Sequence, residues 1–411
     1  MTTTIQRDTK RTEVTELRLR YSGRSYRVET VDVLRGLLMV LMALDHARDY
    51  FSSAAIDPTD PVHSWPALFI TRWVTHLCAP GFILLAGASV YLQRQRRSAA
   101  TLTRALILRG LWLIFLEVTV VSFGWSFGFG VPILQVIWVI GVCMITLAGL
   151  QWLPTPAVGL FGAIVIVGHN LLDPIHASAL GGWSDAWYIL HERGWLTFHA
   201  HHIALYGYPV IPWIGVMALG YCFGAIIAQA PERRQRISAL LGVASLGAFV
   251  LLRLTHSYGD PGSGFEHLDT RAHTLMSIFS VQKYPPSLHY LLATFGIVFL
   301  LFSMFDRAVE HARAARLRAF LDVYGRVPFF FYILHIFLIH ALALIVAAAT
   351  LPTWRFWITP DVVFTSHLAG WGYSLPVVYL VCIAVVVVLY PACAWFSRLK
   401  DRRRDWWLAY L

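Results

Sequence analysis

The chain has 411 residues, 57% of them hydrophobic and 14% charged, with a mean hydropathy of +0.60. A soluble domain carries about 25% charged residues, so the composition excludes an ordinary soluble enzyme and points to a polytopic membrane protein. The net charge of +10 is held in tails and short loops between apolar runs, which argues against a nucleic-acid-binding role.

The chain opens on a charged tail, residues 1–30, with Arg7, Lys10, Arg11, Arg18, Arg20, Arg24 and Arg27 set against Asp8, Glu13, Glu16 and Glu29. It has no apolar h-region, so no cleavable signal peptide is expected and the first hydrophobic run is expected to serve as a retained anchor. Ten spans follow, at about 31–51, 67–92, 104–127, 131–150, 154–172, 203–228, 238–254, 287–305, 327–350 and 373–396. The expected fold is an all-α polytopic membrane helix bundle of about ten transmembrane helices. One domain, 31–396, would lie between the basic tails 1–30 and 397–411.

The loops orient the spans. With the N-terminus inside, the inner segments carry Arg94, Arg96 and Arg97, then Arg233, Arg234 and Arg236. They continue with Arg307, Arg313, Arg316, Arg318 and Arg326, and end on Arg398, Lys400, Arg402, Arg403 and Arg404. The outer loops hold only Arg193, Arg271, Lys283 and Arg355. This is a strong positive-inside signal, and it places both termini in the cytoplasm. Of 17 histidines only His311 lies in an inner loop, which concentrates polar chemistry on the outer half. Two outer loops, about 173–202 and 255–286, exceed the usual length of an unstructured connection, and the first has room for an amphipathic helix.

The first span, VDVLRGLLMVLMALDHARDYF, carries Arg35 near its start and Asp45, His46 and Asp49 near its end. Eleven residues make about three turns, so Arg35 and His46 share a face roughly 16 Å apart, with Met39 and Met42 between them. Ionisable groups inside a membrane usually face a bundle interior or a wet cavity. Histidine is the usual proton acceptor near neutral pH, and Asp45 or Asp49 is placed to orient it. Arg35 suits a phosphate or a carboxylate, although Asp32, three residues earlier, is placed to neutralise it.

His63 stands in the loop after this span, in HSW. The second span adds His76 four residues before Pro80-Gly81, a pair that can break the helix and free carbonyls to line a cavity. The sixth, YGYPVIPWIGVMALGYCFG, is rich in proline and glycine and reads as a helix closely packed against a neighbour. Lys283, in QKYPPSLHYLL, is one of three lysines and marks the outer entrance to the helix carrying His289. The ninth span holds His335 mid-membrane and His340 five residues on, nearly opposite. His199-x-His201-His202 lacks a regular ligand spacing, and the five cysteines fall singly inside apolar runs. No metal site and no disulfide framework are expected.

Five stretches, VDVLRGLLMVLMALDH, THLCAPGFILLAGAS, YPVIPWIGVMALGYCFG, KYPPSLHYLL and YGRVPFFFYILHIFLIH, together resemble the bacterial heparan-α-glucosaminide N-acetyltransferase-like proteins. These belong to a wider transmembrane acyltransferase superfamily in which an Arg-x10-His first helix is typical. The resemblance implies transfer of an acyl group, acetyl above all, from cytoplasmic acyl-CoA to a hydroxyl or amine of a sugar across the membrane. It implies a bacterial inner-membrane location and carries over Arg35 and His46. In the lysosomal enzyme the position of His46 looks like an asparagine, and a catalytic histidine lies between the first two spans, where His63 is the counterpart.

On this reading the catalytic candidates are His46, Asp45, Asp49 and His63. Substrate-binding candidates are Arg35, His76, Lys283, His289 and His335. The partners are acyl-CoA, a glycan or other small acceptor and the bilayer, with no nucleic acid and with a homodimer left open. A proton-coupled transporter or flippase would use the same intramembrane Asp, His and Arg, and a receptor could bind its ligand in the histidine-rich mouth.

Overall fold

The computed structural model describes residues 28–128, 132–198, 201–261, 264–308, 314–359 and 370–403, with residues 405 and 408. The tail before residue 28 lies outside them, as do His199, His311, His367 and the side chains of His201 and His202. Helix α1 runs Glu29–Phe51, α2 Pro66–Thr75, α3 Cys78–Arg94 and α4 Ala99–Leu116. A π-helical segment, Glu117–Val121, carries the last of these into α5, Ser122–Ser126. Then come α6 Val136–Leu150, α7 Thr155–Gly168, α8 Ser184–Leu190, α9 Val210–Ile227 and α10 Pro231–Leu254. The chain continues with α11 Arg271–Phe279, α12 Leu288–Ala308, α13 Ala315–Arg326, α14 Pro328–Thr350 and α15 Leu375–Arg402.

Every one of the ten expected segments is occupied by helix, and among the described residues eight helical stretches are long and apolar enough to cross a membrane. The protein is a polytopic membrane helical protein. The other two segments differ for opposite reasons. α6 has 15 residues, about 22 Å at 1.5 Å per residue, and is short for a bilayer core. α1 is long enough, with 23 residues, but carries Asp32, Arg35, Asp45, Arg48 and Asp49.

Those charges are tolerated because α1 is the centre of the bundle. It packs against α2, α3, α12, α13, α14 and α15, so it is lined by protein on nearly all sides. Its approach to α13 is close enough that a Cβ on Gly36 would stand 1.9 Å from the Leu321 carbonyl oxygen, which only glycine avoids. At its start Thr30 donates to Asp306 of α12 at 2.7 Å, and Arg234 of α10 donates to the same carboxylate at 2.7 Å. At its end the 370–374 segment crosses it, with Trp371 Nε1 donating to the Tyr50 carbonyl at 2.8 Å and the Tyr373 amide to Phe51 at 2.7 Å.

The sixth span packs as its glycines lead one to expect: a Cβ on Gly220 of α9 would meet the Leu84 carbonyl of α3 at 2.2 Å. Its start differs from expectation. The residues before 210 form a small sheet instead of the first helical turn. Strand β1 is Ile133–Leu134, β2 Gly194–Phe198 and β3 His201–Tyr206, in the order β1-β3-β2. β1 pairs parallel with β3 and β2 antiparallel, with a register irregularity between Leu196 and Thr197. Apolar and aromatic residues such as Leu205 and Tyr206 suit a half-buried strand, but at the head of a span their hydrophobicity is read as more helix. The long connection 173–202 is therefore built up, with short turns, the seven-residue α8 and this hairpin.

Candidate active site

Near the end of α1, His46 Nδ1 lies 2.7 Å from Nε2 of His335 on α14. His335 Nδ1 lies 2.9 Å from the Phe331 carbonyl oxygen. A carbonyl only accepts, so the proton of His335 sits on Nδ1 and its Nε2 accepts in turn from His46 Nδ1–H. These partners leave Nε2 of His46 with a free lone pair. A fixed tautomer of that kind is what a general base requires. Both rings are buried. Trp125 packs edge-on to His46 with centroids 4.8 Å apart, and Tyr332 stands 6.1 Å from His46 and 5.5 Å from His335. The Tyr332 hydroxyl and Trp125 Nε1 are both buried without a hydrogen-bond partner.

The carboxylates expected to orient His46 are engaged by arginines. Asp45 accepts from Arg72 Nη1 at 2.7 and 2.6 Å, from Arg48 at 2.9 Å and from Thr75 at 2.9 Å. Asp49 accepts from Arg48 at 2.6 Å. The geometry thus gives the orienting contact to His335, because i, i+3 spacing on α1 turns Asp45 toward Arg48 and α2. Lys283 lies close enough to act electrostatically on Asp45 and His46, and stands 5.1 Å from the Tyr284 ring centroid. Burial pushes the Tyr284 phenol up, but Lys283 and Arg72 outweigh it and hold the group below the usual tyrosine range.

A cavity of about 550 Å³ runs along the Arg35–Met39–Met42 face of α1. It is lined by Arg35, Arg97, Arg109, Arg326 and Lys400, while apolar side chains such as Phe82, Leu113 and Ile137 form much of the wall. Among the described residues no carboxylate lines it. Met42, one turn before His46, and Tyr332 line it as well. Arg35 donates to Asp32 at 3.1 Å, to the Gly325 carbonyl at 3.3 Å and to Ser89 at 3.0 Å, which fixes its guanidinium at the wall.

Among the other expected residues, His76 is buried at the break between α2 and α3. Pro80 has no N–H for the carbonyl four residues back, and Tyr290 Oη–H takes that His76 oxygen at 2.8 Å. The freed carbonyl is thus satisfied by protein. His289 is buried with Nε2 3.2 Å from the Tyr258 carbonyl, facing Phe249 and away from the His46–His335 pair in its contacts. His63 sits in the exposed loop, its Nδ1 2.6 Å from Asp60, and does not line the cavity. His340 reaches the Gly124 and Trp357 carbonyls at 2.9 and 2.6 Å.

Sequence reasoning passed over Arg48, Arg72, Tyr332 and Glu117. Arg72 was visible as a charge inside an apolar run, the same signal that marks Arg35. Glu117 was visible in the same way: fully buried, it accepts from the Trp138 amide at 2.8 Å and so closes the open N-terminus of α6. Tyr332 carried no signal, being one aromatic among many.

Fold and site together define a multi-pass membrane protein with a buried histidine pair near a basic-lined cavity. The family model described as heparan-alpha-glucosaminide N-acetyltransferase, catalytic, matches residues 27–252, more than half of the chain. The chain belongs to that family, and the family implies acetyltransferase activity. The matched part holds Arg35, His46 and Arg72, whereas His335, Tyr332 and Lys283 lie beyond it. No curated protein matches the chain.

Proposed function

We propose that the protein transfers an acetyl group from acetyl-CoA to an amine or hydroxyl of a sugar, a glucosamine amine being the acceptor that the family name favours. The observation that carries this is the cavity, with five basic side chains and an apolar wall, which includes Tyr332 and Met42 beside the His46–His335 pair. Arginine and lysine suit the phosphates of CoA, and the apolar wall suits its uncharged arm. The separation of roughly 16 Å between Arg35 and His46 suits an extended pantetheine.

In the step itself, His46 Nε2 takes the acceptor proton as the acceptor attacks the thioester carbon. The Tyr332 hydroxyl donates to the oxyanion that forms. Collapse breaks the carbon–sulfur bond, and the CoA thiolate leaves with the proton from His46. His335 keeps its acceptor nitrogen on His46 Nδ1–H throughout, which favours the transient imidazolium. His63, exposed and paired with Asp60, is the weaker candidate for the base.

The arginine-rich loops support a cytoplasmic location for both termini and for the CoA side, with the acceptor on the outer face of a bacterial inner membrane. Residues 31–396 then act as one domain between two basic tails. The test uses the full chain in sealed vesicles with acetyl-CoA on one side only and a glucosamine oligosaccharide on the other. Release of CoA thiol with acetylated sugar is the expected result. Sugar flux without a change in mass would overturn the reading in favour of transport.

A further inference from the structure

Away from the histidine pair, three ligating side chains converge at the far end of α7. His169 opens a 3-10 turn that continues α7, Asp173 follows that turn, and His191 directly follows α8. One ligand atom from each lies within 4.8 Å of the others. His191 Nε2 stands 2.9 Å from Asp173 Oδ1. His169 and His191 are each 2% exposed. Both ring nitrogens of His169, and Nδ1 of His191, are buried with no hydrogen-bond partner. An imidazole always has one donor and one acceptor to satisfy, so a buried ring with neither satisfied calls for something that the protein chain alone does not supply.

We propose that His169, Asp173 and His191 bind a divalent cation of the zinc class. Two imidazoles and one carboxylate match the donor preference of Zn²⁺ and its borderline neighbours, and offer too few oxygens for Ca²⁺ or Mg²⁺. Tetrahedral zinc ligands stand about 3.3 Å apart for bonds near 2.0 Å. The His191–Asp173 pair, at 2.9 Å, is already within that spacing, the three ligand atoms lie within 4.8 Å of one another, and His169 can turn inward without breaking a hydrogen bond.

The surroundings are those of a supported site. Asn170 Nδ2 donates to Asp173 Oδ2 at 2.8 Å and orients the carboxylate. The amide of His191 donates to the Trp187 carbonyl at 2.8 Å, and its ring lies 5.4 Å from that of Trp187. Asp173 is only half-buried, which leaves a way in and an open fourth position. Asn170 Oδ1 also accepts from the Leu288 amide at 3.0 Å. The ion would therefore clip α7 to α8 and, through Asn170, brace the head of α12 just after the Lys283–Tyr284 turn. His169 and His191 stand 22 residues apart, so no short ligand spacing marks them in the sequence.

The proposal is independent of the acetyl-transfer reading and is tested by binding. Untagged full-length protein in detergent is stripped with chelator, reloaded with zinc, desalted and assayed for metal content and Tm. Wild type is expected to retain about one zinc per chain more than the His169→Ala/His191→Ala double variant. At free zinc 100 times Kd, its folding equilibrium should shift by about 100-fold, seen as a higher Tm. The double variant should show neither the extra zinc nor the shift. Equal zinc in both proteins, or none in wild type, overturns the site. If the double variant fails to fold, His169→Cys loaded with Co²⁺ decides. A thiolate-to-cobalt charge-transfer band supports ligation at position 169, and a spectrum without that band overturns it.

Discussion

His46 and His63 hold partners at nearly the same distance, His335 at 2.7 Å and Asp60 at 2.6 Å, yet the two contacts have different consequences. His46 is fixed between two helices, excluded from water and close to residues that line a cavity. His63 is in an exposed loop, where water competes for both of its nitrogens. A hydrogen bond in a water-excluded site fixes a tautomer and a direction, whereas the same bond at a surface is one of several alternatives. Contact distance alone does not distinguish a base from an ornament; burial and the neighbouring space do.

The sharpest break in that comparison is His46→Ala against His63→Ala. Loss of a positioned general base costs about 10²–10⁴-fold, so CoA release by His46→Ala should fall by about 10³-fold while His63→Ala stays within about twofold. The reverse ranking, read in the same acetyl-CoA assay, would move the base to the loop. Next in size is the ion cluster one turn away. Arg72→Ala leaves the part-buried Asp45 with hydrogen bonds from Arg48 and Thr75 only, and about 3 kcal/mol of stability should be lost. Denaturant unfolding in detergent measures it, and an unchanged midpoint would show the cluster to be solvated.

Smaller again is Tyr332→Phe, which removes one buried hydroxyl. An oxyanion donor contributes about 10²-fold or more, so kcat should fall by about 10²-fold with KM for acetyl-CoA nearly constant. A rise in KM alone would make Tyr332 a wall of the cavity and nothing more. The smallest effect concerns Asp60. Desolvation pushes this carboxyl up, but the His63 side chain and the Val62 and His63 amides together outweigh it and hold it below the usual carboxylate range. A depressed folded pKa gives stability that is present above the unfolded value of about 3.9 and lost as pH falls through the folded one. Asp60→Asn should therefore lower Tm slightly at neutral pH and flatten the acid limb of the Tm–pH curve below about pH 4, where variant and wild type converge. An acid limb as steep as that of wild type, with no loss of Tm at pH 7, would contradict the assignment.

Much of the architecture was legible in the sequence, because membrane helices must be long, apolar and internally hydrogen-bonded. Each of the ten expected segments contains a helix, although the fourth and sixth also hold strand residues, and the charges of Arg35, Asp45 and Asp49 with His46 single out α1 in the sequence. The hairpin before α9 was missed because Leu205 and Tyr206 are as apolar in a strand as in a span, and because Trp195 falls in a loop where an amphipathic helix was expected. The role given to Asp45 and Asp49 followed from neighbourhood along one helix. The structure gives them Arg48 and Arg72 because α2 packs on that face.

By itself, then, the sequence determined the membrane class, the helical segments and the residues too costly to bury without a reason. Hydropathy and charge are properties of single residues and short windows, so one chain read in order contains them. Only the tertiary structure decided which partners those residues take: His335 with His46, Tyr332 beside both, and His169 with His191. Those pairs are separated by 289, 286 and 22 residues along the chain, and no local periodicity connects them. Helix packing brings them within reach, and packing is fixed by the whole bundle at once.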